Sequence, residues 1–273
     1  DSFTHIPLCE DNIQVVDAVF CYEQTDLPLI RRQYGVEAHF LPQAVDPELY
    51  YPLKKSDTEE PLFDLVFAGD IFHSRRRRET IQAVVAHYPQ LRIRVWGEYK
   101  PWYKNPLKWL LREHRDVYTN GNVPASAVNA FYNRARIVLN IHRDDQKDGA
   151  NPRVFEICGS GAYQICDANP YVRTIFPDGD VGLYADADEL VERIREALAS
   201  DKSEAASRAH GTTMRNHTYA NRIEQVICNR NPYHLHHALE WHNEHQNTGD
   251  GKGQCGKENP GSCLSCKNLR TLD

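Results

Sequence analysis

Short apolar segments alternate with amphipathic segments along this chain, and the alternation constrains its fold more than any other feature. Leu62 to Ala68 has the composition of a buried strand and ends at Gly69, and a helical pattern follows from about Arg76 to Tyr88. The same order recurs, with strand-type segments at Leu91 to Trp96 and Ile137 to Ile141. Because strands that alternate with helices pair in parallel, the pattern predicts an α/β fold with a Rossmann-like, doubly wound parallel sheet.

Three regions of different composition predict the domain organisation. The polar segment from Lys54 to Pro61 has the character of an interdomain linker, so residues 1–58 are expected to be the end of an N-terminal domain and its linker. Residues 59–228 are expected to form one Rossmann-like domain. Residues 229–273 have little apolar content after Gln246 and are expected to be an extension that is disordered or held by a metal.

Charge and hydropathy exclude several classes of protein. The formal net charge is −6, so the chain lacks an overall positive field that would attract nucleic acid. No stretch approaches the roughly 20 apolar residues that span a bilayer. Asp1 to Pro7 lacks the basic and apolar parts of a secretory signal, and the scattered cysteines fit buried positions in a reducing cytoplasm. Because the chain does not begin with Met, a fragment or a processed product is expected.

A run of arginines follows the strand that ends at Gly69. Arg75 to Arg78 opens the predicted helix, whose N-terminus attracts anions through its free N–H groups and its dipole. Guanidinium groups also bind phosphate with two parallel hydrogen bonds. This position favours phosphate binding, with Gly69, Arg75 and Arg78 as candidates. The alternative is a solvated charged face, which most short basic runs form.

A second polar loop follows the strand that ends near His142. Asp148 lies in this loop, and Glu156 follows eight positions later, beyond the helix start marked by Pro152. Glu156 is expected in the first helical turn, where stabilisation of the helix dipole is an alternative role that needs no ligand. Because Arg153 lies one turn before Glu156, one segment offers acids for sugar hydroxyls and a cation for phosphate.

Four segments follow one another along the chain: LPQAVD at 41–46 with Pro47 and Tyr50, NPRVFEICGSGAYQICD at 151–167, DADEL at 186–190, and HTY at 217–219 with Arg222. In sequence and in order, these segments resemble the CgeB-like and family-4-like glycosyltransferases of GT-B fold. The resemblance covers about Val15 to Val226.

The resemblance implies two facing Rossmann-like domains, with a nucleotide-diphosphate sugar bound by the C-terminal one. A Glu-x7-Glu pattern is common in retaining members: its second acid grips the ribose and its first lies near the donor sugar. The matching positions here are Glu156 and Asp148, with Asp in the first place. A basic pair commonly holds the diphosphate, which implicates Arg153 and the arginine run.

The candidate site follows from these observations. No catalytic metal is expected, because Asp186-Ala-Asp188 precedes a helix and is interpreted as a cap. The candidate catalytic residues are Asp148 and His142, and the candidate donor-binding residues are Gly69, Arg75, Arg78, Tyr99, Asn151, Arg153 and Glu156.

Two further segments have open interpretations. Tyr99 lies in an aromatic loop after a predicted strand, where rings either stack on a nucleotide base or anchor a surface loop. In the C-terminal extension, Cys263 and Cys266 have the local spacing of zinc ligands, and Cys255 with nearby histidines would complete a structural zinc site. The alternative is free thiols in a flexible tail.

Three classes of function fit the sequence. The first is a glycosyltransferase that moves a sugar from a nucleotide-diphosphate sugar to a glycan, protein or small-molecule acceptor. The second is a noncatalytic nucleotide-sugar-binding module or partner subunit, which the shortened acid at position 148 and the incomplete acceptor-side domain favour. The third is an interaction protein that docks through a zinc-bound tail.

Overall fold

The computed structural model describes Ile13 and residues 16–54, 60–71, 74–97, 117–120, 124–176 and 179–228. The chain divides into two compact units, Asp1–Glu224 and Gln225–Asp273. The described strands are β1 (Ala18–Cys21), β2 (Glu37–Phe40), β3 (Phe63–Ala68), β4 (Ile93–Gly97), β5 (Tyr118–Asn120), β6 (Ala135–Asn140), β7 (Gln164–Asp167) and β8 (Gly182–Tyr184). The described helices are α1 (Leu27–Tyr34), α2 (Arg75–His87), α3 (Ala125–Asn133), α4 (Pro152–Gly159), α5 (Pro170–Ile175), α6 (Ala187–Ala199), α7 (Ser203–Asn216) and α8 (Tyr219–Cys228).

Six of the strands form one parallel sheet in the order β5-β4-β3-β6-β7-β8. Counted from β3, this is the 3-2-1-4-5-6 order of a Rossmann fold, and it reverses direction between β3 and β6. The predicted α/β fold with a doubly wound parallel sheet is therefore confirmed. β1 and β2 pair in parallel as a separate two-stranded sheet.

Both faces of the six-stranded sheet are covered, which is why its central strands are almost continuously apolar. Along β3, Leu65 and Phe67 enter one core with residues of α2 and α6. Val66 and Ala68 enter the other core with residues of α3 and α4. The alternation of side chains along a strand thus supplies both cores from a single segment.

The segments that resemble the family near residues 41–46 and 217–222 are neighbours in the structure. Val45 and Thr218 form a parallel bridge. The buried guanidinium of Arg222 donates from Nε to the carbonyl oxygen of Pro42 at 2.8 Å and from Nη2 to that of Gln43 at 3.1 Å. His217 stacks on Phe155 of α4 with ring centroids 4.9 Å apart. These residues fasten the connection between the two sheets to the larger sheet's domain.

Several local predictions are corrected by the structure. Glu156 lies in the second turn of α4, because the helix begins at Pro152. The sequence also suggests that this helix ends at Cys158, with Gly159 and Gly161 just beyond it; Gly159 is instead the last residue of α4, and Gly161, with φ of +70°, takes the left-handed conformation after the helix. The short helix α5 was not predicted, although Asn169 caps it and Pro170 begins it.

The predicted domain boundaries at residues 58 and 228 remain predictions. Much of the first region is described, but the extension at residues 229–273 lies outside the described residues. In the part of the chain that is described, no helix combines the length and apolar character needed to cross a membrane.

Candidate functional site

In sheets of this kind, the usual ligand position is the crevice outside the carboxyl ends of the two strands between which the order reverses, here β3 and β6. We call it the switch-point crevice; it is bounded by Gly69 and Asp70, the loop at residues 141–150, and the N-terminus of α2. Ser74 caps α2 by accepting a hydrogen bond from the backbone N–H of Arg77 at 3.2 Å. Its hydroxyl also donates to Asp144 Oδ1 at 3.1 Å, so the cap touches the facing loop.

Arg77 joins the two sides of the crevice. This side chain is buried, and it donates from Nε to the carbonyl oxygen of Ile141 at 2.8 Å and from Nη1 to that of Asp70 at 3.0 Å. Its guanidinium also lies 6.0 Å from the centroid of the Phe67 ring. Burial lowers the pKa of Arg77 from an ordinary value so high that the group stays charged. Arg77 therefore fixes the ends of β3 and β6 relative to each other.

Gly69 lies where the chain leaves β3, and its backbone is closely packed. Its N–H donates to the carbonyl oxygen of Trp96 at 2.9 Å. A Cβ atom on Gly97 would lie 1.9 Å from the carbonyl oxygen of Gly69, a distance that no side chain tolerates. Glycine at position 97 is thus needed for the close approach of the β3 and β4 ends.

The arginine run is divided by the rotation of α2. Arg75 is exposed and pairs with Glu79 on the same helix, with Nε to Oε1 at 2.6 Å. Arg76 reaches over the carboxyl ends of the strands to the carboxylate of Asp167 at the end of β7, and 44% of the Arg76 side chain is exposed. Arg78 donates to the carbonyl oxygen of Ile71 at 3.3 Å. The structure therefore turns Arg76 and Arg77, which were not singled out from the sequence, towards the crevice, and leaves Arg75 outside it.

His142 is fully buried beside the crevice, and both of its ring nitrogens are engaged. Its backbone N–H donates to Asp167 Oδ1 at 2.8 Å, and its Nδ1 lies 2.8 Å from the same oxygen. Its Nε2 lies 3.3 Å from Asn169 Nδ2, which also donates to the carbonyl oxygen of Gly149 at 2.6 Å. The predicted catalytic role of His142 remains a prediction, and the geometry makes this side chain part of the scaffold.

Asp167 gathers several of these contacts at the end of β7. Although burial opposes the shift, the hydrogen bond from His142 and the charge of Arg76 hold the pKa of Asp167 below its ordinary value. Asp167 is therefore ionised at neutral pH. The same strand-end rule that selected His142 would have selected Asp167 and Asn169, because Asp167 ends the buried strand β7 and Asn169 lies two positions beyond it.

Asp148 lies in the loop opposite α2, and its side chain is partly buried. One carboxylate oxygen, Oδ1, is buried without a hydrogen-bond partner among the described residues. A buried acceptor left without a donor is uncommon and points to strain or function. The site role of Asp148 remains a prediction.

Asn151 caps α4 and belongs to a buried amide network. Its Oδ1 accepts from the backbone N–H of Val154 at 3.1 Å, and its Nδ2 donates to Asn140 Oδ1 at 3.0 Å. Asn140 Nδ2 in turn lies 3.0 Å from Gln164 Oε1. Because Asn151 is 4% exposed, its visible role is to hold the start of α4 against the end of β6.

Arg153 and Glu156 form an ion pair on α4 through Nη1 and Oε2. Burial and the nearby carboxylate of Glu156 raise the pKa of Tyr50 to about 12. Despite its own burial, Arg153 has a raised pKa because Tyr132, Glu156 and Tyr50 surround it. The predicted acid and base therefore lie together, partly exposed, but each is the other's partner in this structure.

Three remaining predictions concern the helix cap at Asp186, the stacking residue Tyr99 and the candidate zinc ligands. The Asp186 side chain accepts from the backbone N–H of Glu189 at 2.9 Å and so caps α6, as predicted. Tyr99 and the candidate zinc ligands Cys255, Cys263 and Cys266 lie outside the described residues.

The ligand atoms of His142, Cys166 and Asp167 lie within 4.8 Å of one another, a distance compatible with a metal. The donor set does not suit one, because Asp167 already binds His142 and Arg76. Burial also raises the pKa of Cys166 well above its ordinary value, which keeps the thiol protonated.

Comparison with solved structures agrees with the observed architecture. The sucrose-phosphate synthase from Thermosynechococcus elongatus superimposes with a TM-score of 0.62 and 14% identity, over 85% of this chain and 62% of that one. WaaG, a glycosyltransferase involved in lipopolysaccharide biosynthesis, superimposes with a TM-score of 0.56 and 16% identity, over 76% of this chain and 62% of that one. The superpositions show a shared fold, that of GT-B glycosyltransferases, and at these low identities they show the fold alone.

A third structure is described as "Trehalose-6-phosphate from E. coli bound with UDP-2-fluoro glucose". It matches with a TM-score of 0.56 and 11% identity, over 83% of this chain and 64% of that one. This chain therefore spans less than two thirds of the length of these structural relatives.

Comparison of sequences identifies the family. None of the curated proteins matches this sequence. Residues 75–227, more than half of the 273 residues, match the family described as glycosyl transferase-like. The matched region contains the arginine run, the loop with Asp148, and helix α4. The chain belongs to the glycosyl transferase-like family.

Proposed function

We propose that this chain binds a nucleotide-diphosphate sugar at the switch-point crevice and transfers the sugar to a glycan, protein or small-molecule acceptor. The observation that carries the proposal is the position of Arg76, which reaches from the N-terminal turn of α2 to Asp167 at the end of β7, beside the reversal point of a 3-2-1-4-5-6 sheet. A cation suited to a diphosphate therefore lies near the position where such sheets bind nucleotides, and we assign Asp148, in the loop after β6, to a sugar hydroxyl.

The diphosphate is assigned to the basic side of the crevice. Arg76 keeps 44% of its side chain exposed while its guanidinium binds Asp167. The guanidinium can therefore also bind a phosphate oxygen while it stays in contact with Asp167. The N-terminus of α2 supplies partial positive charge to the same position. Negative charge that develops on the departing diphosphate would be stabilised there, and the proposal requires no metal for this step.

The sugar and the ribose are assigned to the acidic side. The enclosed oxygen of Asp148 is an acceptor that a donor-sugar hydroxyl would satisfy. Glu156 is assigned to the ribose hydroxyls, in exchange for part of its contact with Arg153. Transfer with retention is proposed on the resemblance of Asp148 and Glu156 to the paired acids of retaining enzymes, through an oxocarbenium-like transition state.

A noncatalytic nucleotide-sugar-binding module is the second candidate. One observation favours it: His142, a candidate catalytic residue, has both ring nitrogens engaged by Asp167 and Asn169. A binding module would keep the donor-side contacts and lack turnover. A cytoplasmic location is part of the proposal and is supported by the buried free thiols of Cys21, Cys158 and Cys166.

A thermal-shift screen against UDP-, GDP-, ADP- and dTDP-sugars tests the proposal. A ligand that binds the folded state raises its melting temperature by mass action. We expect one nucleotide class to raise it, and release of that nucleoside diphosphate in the presence of an acceptor mixture would identify an enzyme. Binding without release would favour the second candidate, and the absence of any shift would contradict the donor site.

A further inference from the structure

A buried acid from the N-terminal part of the chain holds the loop that carries Asp148. Glu23 follows β1 and is 2% exposed. Its Oε1 accepts from the backbone N–H of Asp148 at 2.7 Å, and its Oε2 accepts from that of Lys147 at 3.0 Å. The hydroxyl of Thr25 donates to the same Oε1 at 2.8 Å. One carboxylate thus receives two consecutive N–H groups of the loop, and such charge-assisted bonds are the stronger kind.

Neighbouring contacts fix the same loop from both sides. The N–H of Gln24 donates to the carbonyl oxygen of Asp148 at 3.1 Å, and Glu23 and Gly149 form an antiparallel bridge. A Cβ atom on Gly149 would lie 2.2 Å from the carbonyl oxygen of Tyr22, so the two backbones approach as closely as only glycine permits. From the opposite side, Asn169 donates to the carbonyl oxygen of Gly149 at 2.6 Å.

From this geometry we infer that Glu23 is a positioning residue for Asp148. By binding the backbone of residues 147–149, Glu23 orients the side chain of Asp148. The inference rests on the proposed function in assigning Asp148 to the donor sugar. Its physical content is that the segment after β1 holds a loop of the larger sheet's domain. Through Glu23, that segment determines the direction of a side chain that belongs to the larger sheet's domain.

The first test measures the loop without any ligand. Glu23→Gln keeps the shape of the side chain but removes the charge and turns an amide N–H2 towards one of the two backbone donors. We expect amide hydrogen exchange at Lys147 and Asp148 to become about tenfold faster or more, because each N–H loses a hydrogen bond to a charged acceptor. Exchange at the wild-type rate would overturn the inference.

Asp64→Asn is the matched control for this measurement. Asp64 is also a buried acid that accepts a backbone N–H, that of Arg92 at 2.9 Å, but it lies near the start of β3, at the end of the strand opposite to the crevice. We expect this variant to leave exchange at Lys147 and Asp148 unchanged. An equal acceleration in both variants would reveal general loosening and overturn a specific role for Glu23.

The second test measures binding. We expect Glu23→Gln to weaken binding of a nucleotide-diphosphate sugar more than binding of the nucleoside diphosphate alone. In a chain that already carries Asp148→Asn, we expect Glu23→Gln to have no further effect on affinity. Additive losses from Glu23→Gln and Asp148→Asn would overturn the inference. If the wild-type chain bound no nucleotide sugar while Glu23→Gln still accelerated exchange, the proposed function would fail and the positioning of Asp148 by Glu23 would stand.

Discussion

Asp167 Oδ1 accepts two hydrogen bonds from His142, one from the backbone N–H and one at Nδ1, each at 2.8 Å. Its other carboxylate oxygen holds Arg76 of α2. One strand-end acid therefore ties the end of β6, the end of β7 and the start of α2 into a single framework around the switch-point crevice.

Replacing Asp167 with Asn should destabilise the fold in a pH-dependent way. At pH 7 we expect the free energy of unfolding to fall by about 1.5–3 kcal/mol, because hydrogen bonds to a charged acceptor are removed. The folded-state pKa of Asp167 lies below the ordinary 3.8, so its contribution is complete above 3.8 and is lost as the pH falls through the folded-state value. Urea unfolding at pH 7 and pH 3 checks this; a difference between variant and wild type that grows at low pH would contradict it.

His217 should make the folded state sensitive to mild acid. Burial, with Arg222 beside it, lowers the pKa of His217 to about 3. Between about pH 6.5 and 3 the unfolded chain binds a proton at this residue and the folded chain does not, so stability falls by about 1.4 kcal/mol per pH unit. We expect His217→Gln to remove this part of the slope in unfolding measured at pH 6, 5 and 4. Equal slopes in variant and wild type would show that His217 titrates normally.

A methyl group at Gly97 should disturb the crevice. Gly97→Ala places Cβ against the carbonyl oxygen of Gly69, and we expect a loss of about 1–3 kcal/mol as the strand ends move apart. Gly211→Ala in α7 is the control, because its Cβ meets only the end of the Arg215 side chain. That change should stabilise the helix by about 0.5–1 kcal/mol. Thermal unfolding that ranks the two variants in the reverse order would refute this interpretation of the packing.

Glu156→Ala should weaken binding of a nucleotide-diphosphate sugar by about 1.5–3 kcal/mol, through loss of charge-assisted bonds to ribose. Glu79→Ala is a suitable control, since Glu79 also pairs with an arginine on its own helix but lies on the exposed face of α2. Titration calorimetry with the nucleotide sugar compares the two. Unchanged affinity in Glu156→Ala would remove the ribose role.

Sequence patterns were sufficient for the strands and for most of the helices. Strand ends at Gly69 and near His142 were predictable because buried strands are short apolar runs followed by glycine or polar residues. Helix caps such as Asp186 were predictable because capping depends on local sequence. The order of strands was less accessible, since it arises from contacts between distant segments.

The candidate site was predictable only in part. The loop of Asp148 and helix α4 were located, but the choice among Arg75 to Arg78 depends on how α2 rotates against the sheet, which the run itself does not encode. Packing of Ile81, Val84 and Val85 sets that rotation and buries Arg77. The contact of Glu23 with residue 148 spans 125 positions and has no local signal.

We propose above that the switch-point crevice binds a nucleotide-diphosphate sugar through Arg76, the arginine of the run that contacts Asp167 and is still partly exposed. Titration calorimetry of the wild-type chain, Arg76→Ala and Arg75→Ala with the donor selected by thermal shift tests it most directly. We predict one binding site per chain. Arg76→Ala should lower the affinity for the donor about tenfold or more, and Arg75→Ala should leave the affinity unchanged. Equal affinities for all three proteins, or a loss confined to Arg75→Ala, would contradict the account.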